Sequence, residues 1–128
     1  MAANMPRHPF WDRAILEMAK LQIADRKKEN AISTLKRIEA SSGAPAIRQE
    51  SARLLALLYF EGENFNSAAS AFLRAHRSLP AGEGDILAVN AGVSLLRAGD
   101  KTSFRGLLES IDSSEARVTL LLERALHE

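Results

Sequence analysis

Few side chains in this sequence have the types and spacing that catalysis or metal binding requires. The three histidines, His8, His76 and His127, are far apart in the chain, so no two of them have the spacing of metal ligands. Glu61 and Glu63 fall in a predicted turn, where nothing would tune a carboxyl group for acid–base catalysis. We therefore expect all five side chains to be solvated.

The sequence also lacks the common catalytic and cofactor motifs. It contains neither the phosphate-binding pattern Gly-x4-Gly-Lys-Ser/Thr nor the nucleophile elbow Gly-x-Ser-x-Gly. It has no cysteine, which excludes disulfides, thiolate metal sites and cysteine nucleophiles. These absences predict a protein that is not an enzyme and that uses no cofactor and no metal.

Composition is that of an ordinary soluble domain. The chain has 128 residues, enough for one domain with a hydrophobic core; 46% are hydrophobic and 26% charged. The longest apolar run, 54–60, is far too short to span a bilayer, and the N-terminus has no secretory h-region. We expect a cytoplasmic protein that has no membrane contact.

Charge gives little indication of a nucleic-acid partner. The formal net charge is +1, although the first third of the chain is basic at 25–28 and again at Lys36 and Arg37. A nucleic-acid interface would need a larger basic face with interleaved aromatic residues, and aromatic residues are few. A solvated edge that steers an acidic protein partner is the favoured interpretation.

The elements that must position any site are predicted to be helices. Strand and hairpin signals are scarce, whereas helical periodicity runs through most of the chain and predicts seven helices with short connections. Ala31, Ile32, Leu35 and Ile38 form the apolar stripe of the second helix, and Asp100 is placed to cap the sixth. In the last helix one set of apolar residues shares a face, with Leu120 off it. That set is Val118, Leu121, Leu122, Ala125 and Leu126.

The middle of the chain has a pattern of small and large residues. It reads Ala52-x2-Leu55-Ala56-x2-Tyr59, followed by Ala68-x3-Phe72-x2-Ala75-x4-Pro80. This pattern resembles the tetratricopeptide repeat family, in which small residues sit where two helices cross and bulky residues fill the space between them. Two departures are Ala52, where tryptophan is frequent, and Gly62, which lies one place before the usual glycine.

This spacing of small and large residues, which we call the frame, recurs on both sides of the middle unit with weaker matches. Moved back 37 residues, it gives a first unit whose turn contains Arg26 instead of glycine; moved forward 36 residues, it gives a third. Phe104 falls where alanine is expected, so packing in the third unit should be looser or shifted. The predicted domain therefore spans 1–128, with repeats at about 12–45, 49–82 and 85–112 and a capping helix at 113–127.

The resemblance implies an all-α fold, a right-handed stack of antiparallel helix pairs with about seven helices. An unrelated seven-helix bundle, in which the alanines are simple helix formers, is the alternative. The resemblance also implies that the first helix of each unit lines a concave, partner-binding groove. Carried over to this sequence, the groove residues are Leu16, Lys20, Ile23, Arg53, Leu57, Phe60, Val89, Val93, Leu96 and Arg97.

The groove's residue types indicate the kind of partner. The lysine, asparagine and arginine set with which some family members grip a C-terminal carboxylate is missing, and the middle of the groove is apolar. It would suit an amphipathic helix or an extended apolar segment of a protein partner. Burial of the same residues by the protein's own N-terminal segment, or by a second copy, is the alternative.

Two non-enzymatic functions follow from the sequence. The first is an adaptor, scaffold or dedicated chaperone that holds an apolar segment in its groove. The second is an oligomerisation or assembly module that uses the C-terminal helix, which is apolar on more than one side; homo-oligomers are then possible. A chain cut from a longer repeat array would also leave such a helix exposed.

Overall fold

The computed structural model describes residues 9–77, 85–111 and 114–127, and their fold is all-α, as predicted. The described residues form seven helices. These are α1 (Pro9–Ala24), α2 (Lys28–Ser41), α3 (Pro45–Glu61), α4 (Phe65–Arg77), α5 (Asp85–Ala98), α6 (Lys101–Ser110) and α7 (Ser114–His127). Pro80, the segment 81–84 and His8 lie outside the described residues. Across the described ranges, no helix combines the length and apolar content that crossing a membrane would need.

Helices that follow one another in the chain pack together from α1 to α6, and α7 packs against α5. Neighbours in this order run antiparallel: Asp12, near the start of α1, bonds Ser42 just past the end of α2. Alternate helices run in the same direction, since Arg74 late in α4 contacts Glu39 late in α2. This packing is consistent with a helical-repeat stack.

The turn within each helix pair has one backbone geometry, repeated three times. Arg26, Glu63 and Gly99 have positive φ values of 63°, 62° and 79°, and they lie 37 and 36 residues apart. In each turn, the left-handed residue donates to the carbonyl three residues before it, and the next residue donates to the carbonyl five before it. This double hydrogen bond is the Schellman motif that ends helices. The turn repeats with the same spacing as the sequence frame.

The core follows the predicted small and large positions. Ala31, Leu35 and Ile38 of α2 are buried and Ile32 is half-buried, which confirms the predicted stripe. Ala68 and Phe72 of α4 are buried as well. α4 packs extensively against both α3 and α5, so it joins the two halves of the stack.

The third helix pair packs less extensively than the second. Phe104 is buried at the position where the frame expects alanine, and α6 makes a smaller contact with α5 than α4 does. The Asp100 side chain caps α6, as predicted, by accepting a hydrogen bond from the Ser103 backbone N–H at 3.0 Å.

Polar contacts link α1 to α2 and α2 to α4. Ser42 donates from Oγ to Asp12 Oδ2 at 2.8 Å, and both residues are buried. The Ala44 N–H donates in turn to Ser42 Oγ at 3.1 Å, which fixes the turn before α3. Arg74 reaches both carboxylate oxygens of Glu39, at 2.6 Å and 3.0 Å, and links α4 to α2.

α7 packs by its shorter apolar line, which lies off the stripe of Val118, Leu121 and Leu122. Ala116 and Leu120 are buried against the body of the protein, and Leu120 has no exposed surface. The longer apolar stripe is exposed: Val118 is 55% and Leu122 60% exposed. Gly92 of α5 explains this orientation, because a methyl group at that position would overlap the Leu120 side chain. The missing Cβ makes room for Leu120.

Candidate partner-binding groove

An open site with apolar side chains at its edge lies between α5 and α7. These helices run in the same direction: Ile86 near the start of α5 shares a cavity with Glu115 near the start of α7, and Arg97 shares one with His127 at the other end. Gly92 and Leu120 hold the two helices together at the centre. A groove therefore follows the helix pair along its length.

Two cavities make up this groove. The first, of about 310 Å³, has a mixed lining of apolar and polar side chains: Ile86, Val89, Asn90, Glu115, Ala116 and Thr119. The second, of about 170 Å³, is lined by Val93, Leu96, Arg97, Glu123, Leu126 and His127. Ligand sites are commonly concave and mostly apolar, with a few polar groups that fix orientation.

The predicted groove residues of the third unit all lie here. Val89, Val93, Leu96 and Arg97 line one or other of the two cavities. Leu96 is largely buried and forms part of the floor, whereas Val89 and Val93 are half-buried and border the opening. Sequence reasoning thus reached the α5 side of the groove.

Phe60, predicted from the second unit, lies beside Arg97 from the third. The Phe60 and Phe65 rings meet edge to face, with centroids 5.2 Å apart. The Arg97 guanidinium lies over both rings, 5.0 Å from the Phe60 centroid and 5.7 Å from that of Phe65. Such cation–π contacts hold a guanidinium in place without neutralising its charge.

The other two residues predicted from the second unit lie along α3. Leu57 is 40% exposed, an accessible apolar side chain on this helix. Arg53 is half-buried. The described contacts place neither residue in the α5–α7 cavities.

The first unit does not provide an apolar groove. Leu16 has no exposed surface and belongs to the core, so its predicted role in binding a partner is wrong. The helical period turns it toward α2 and α3 with Ala19, and Ile23 packs against the same core. Lys20 is half-buried and pairs with two carboxylates, Glu17 at 3.2 Å and Glu50 at 3.4 Å.

Sequence reasoning missed the α7 side of the groove. Thr119, Glu123, Leu126 and His127 border the cavities, but α7 was predicted as a capping helix or an assembly interface and not as a side of the groove. The available signal was the second apolar line of this helix, Ala116 and Leu120, together with Gly92 on α5. A glycine inside an apolar helix marks a point where another element can approach closely.

Among the described residues no group of three or more histidine and carboxylate side chains is arranged to hold a metal ion. Close to the groove's end, hydrogen bonds from the Ser103 hydroxyl and then from its backbone N–H lower the pKa of Asp100 below the usual 3.8. That carboxylate is committed to capping α6.

The chain matches no protein-family model, no curated protein and no solved structure. Membership of the tetratricopeptide repeat family therefore stays a prediction, carried by the sequence pattern alone.

Proposed function

We propose that this protein is a non-enzymatic binding module, an adaptor or chaperone, that holds an apolar segment of a protein partner in the groove between α5 and α7. The observation that carries the proposal is the cavity pair along these two helices, with Val89 and Val93 at its edge. An amphipathic helix would bury its apolar stripe there and keep its polar side in water.

The resemblance to tetratricopeptide repeats supports the same function. Members of that family bind peptide segments along the first helices of their units, and α5 corresponds to the first helix of the third unit. The half-exposed Leu57 on α3 would extend the apolar surface for a longer segment. We also propose that the protein is located in the cytoplasm.

Paired charge substitutions test the proposal. Val93→Glu places a carboxylate at the groove's edge, and Val118→Glu places the same group on the exposed outer side of α7. In affinity capture from the native host, the partner should be retained by wild type and by Val118→Glu, and lost with Val93→Glu. Circular dichroism should show full helix content in both variants. If the Val93→Glu protein is folded and retains the partner, the groove is not the binding site.

The exposed outer side of α7 supports a second function, an assembly module. Val118, Leu121 and Leu122 are exposed together, and an apolar stripe on one helix face is typical of a helix–helix interface. Light scattering over a range of concentrations separates the two functions. A monomer at all concentrations favours the groove function, whereas a dimer that Val118→Glu dissociates favours assembly through α7.

A further inference from the structure

A third cavity opens at the end of the groove and has a different lining. It has a volume of about 170 Å³ and lies where α5 ends, α6 begins and α7 ends. Leu96 and Phe104 provide its apolar surface. Its remaining lining is Gly99 and four basic side chains, Lys101, Arg105, Arg124 and His127. We refer to it as the basic pocket.

The basic pocket adjoins the groove. Leu96 and His127 line both the basic pocket and the neighbouring groove cavity. Arg97, in that groove cavity, is held in place by the Phe60 and Phe65 rings. A segment that follows the groove from Val89 past Val93 therefore ends beside the two residues that the groove shares with the basic pocket.

The cations at this end have no ion-pair partner within the described part of the chain. None of Arg97, Lys101, Arg105 and Arg124 forms a salt bridge there. Two carboxylates lie close in the structure. Asp100 is engaged in capping α6, and Glu123 borders the groove cavity beside Arg97. Among the described residues, positive charge at this end of the groove exceeds negative charge.

At the opposite end of the groove, the charged side chain is acidic. Its cavity contains one charged side chain among the described residues, the carboxylate of Glu115, together with neutral Asn90 and Thr119. The groove therefore has a polarity, with an acidic residue near the start of α5 and basic residues near its end. A bound segment with an acidic group would be repelled at the first end and attracted at the second.

We propose that the basic pocket receives acidic side chains, aspartate or glutamate, at one end of the apolar segment bound in the groove. This inference rests on the proposed function and specifies its partner: an amphipathic polypeptide segment whose apolar stripe ends in carboxylates. The apolar surface of Leu96 and Phe104 favours such a side chain over a free anion, because its methylene groups are buried while its carboxylate meets the cations.

A pair of synthetic peptides tests this inference. Each is a fluorescein-labelled helical peptide of 14 residues, the length of α5, with leucines on one face. One ends in two glutamates and the other in two glutamines. By fluorescence anisotropy at low salt, the glutamate peptide should bind about tenfold more tightly, as expected for two exposed ion pairs. The advantage should shrink as salt is added.

Variants assign the effect to the basic pocket. Arg105→Glu combined with Arg124→Glu should remove the preference for the glutamate peptide over the glutamine peptide. Arg48→Glu combined with Arg117→Glu changes charge equally at exposed positions outside the groove and the pocket, so it is the matched control. This control should keep most of the preference.

The outcomes separate the acidic-partner inference from the groove function. Equal affinity for the two peptides overturns the acidic-partner inference and leaves the groove function standing. Failure of both peptides to bind overturns both. A competition experiment with phosphate and with chloride, at matched ionic strength, completes the test. If phosphate displaces the glutamate peptide and chloride does not, the pocket is a site for free anions and the inference is wrong.

Discussion

The α1–α3 and α5–α7 regions share one helical frame and differ in what they expose. In the first region Arg13 and Lys20 both contact the Glu50 carboxylate, at 3.3 Å and 3.4 Å. In the second, the corresponding side of α5 presents Val89, Val93 and an Arg97 that has no carboxylate partner among the described residues. On this side the first region carries ion pairs, whereas the second carries apolar side chains and an arginine that forms no salt bridge among the described residues.

This difference separates the requirements of the fold from those of binding. Both regions use the left-handed turn, at Arg26 in one and at Gly99 in the other, and both bury the helix sides that face their neighbours. Exposed ion pairs add little stability, so the network around Glu50 is not what holds α1 to α3. The side left free by the frame can therefore differ from unit to unit: on α1 it carries Lys20 in ion pairs, and on α5 it carries Val89 and Val93.

The largest expected effect is at the helix that joins the two regions. Phe72 of α4 is almost completely buried, and α4 packs against both α3 and α5. Phe72→Ala should lower the free energy of unfolding by about 3–5 kcal/mol, because it leaves a cavity in the shared core. Chemical denaturation measures the loss. Leu57→Ala, at a half-exposed position on α3, is the control and should cost much less; equal losses would contradict the assigned core.

The next effect tests how the C-terminal region is closed. Gly92→Ala should destabilise by about 1–3 kcal/mol, because the new methyl group overlaps Leu120. Leu120→Ala should cost about 2–5 kcal/mol by removing a fully buried side chain. The double variant should lose less than the sum of the two, since the smaller side chain at 120 leaves room for the methyl group. Additive losses in denaturant titrations would show that α7 does not cross α5 at Gly92.

The smallest effect tests whether the two regions share the same turn. Gly99→Ala should destabilise by about 1 kcal/mol, because alanine is strained at positive φ and no atom outside the local backbone lies near enough to clash. Glu63→Gly should do the opposite and stabilise by about 0.5–1 kcal/mol, by relieving the same strain at the equivalent position. Opposite shifts in melting temperature support the repeated turn; shifts of the same sign contradict it.

Much of the frame was predictable from the sequence. The small and large residues around Ala68 and Phe72 predicted how the middle helix pair packs. The same pattern, moved back 37 residues and forward 36 residues, predicted the first and third helix pairs. The turn residue itself was not predictable. Gly62 was one place off the usual glycine because the left-handed position is occupied by Glu63, a residue type that gives no signal for positive φ.

The site was predictable only along one helix. Positions carried over by family resemblance reached Val89, Val93 and Arg97 but also included Leu16, which the period of α1 turns into the core. For α7, two apolar lines were available, and the sequence did not decide which of them packs. The choice between them depends on the partner helix, because only the glycine at position 92 of α5 admits Leu120.

The most direct test of the groove is to map where an apolar segment binds. Backbone amide resonances of the ¹⁵N-labelled protein would be followed by NMR while an unlabelled leucine-stripe peptide is added. The groove account predicts that the largest shifts occur at Val89, Val93 and Thr119, which border the α5–α7 cavities. Shifts concentrated at Val118 and Leu122, on the outer side of α7, would contradict it.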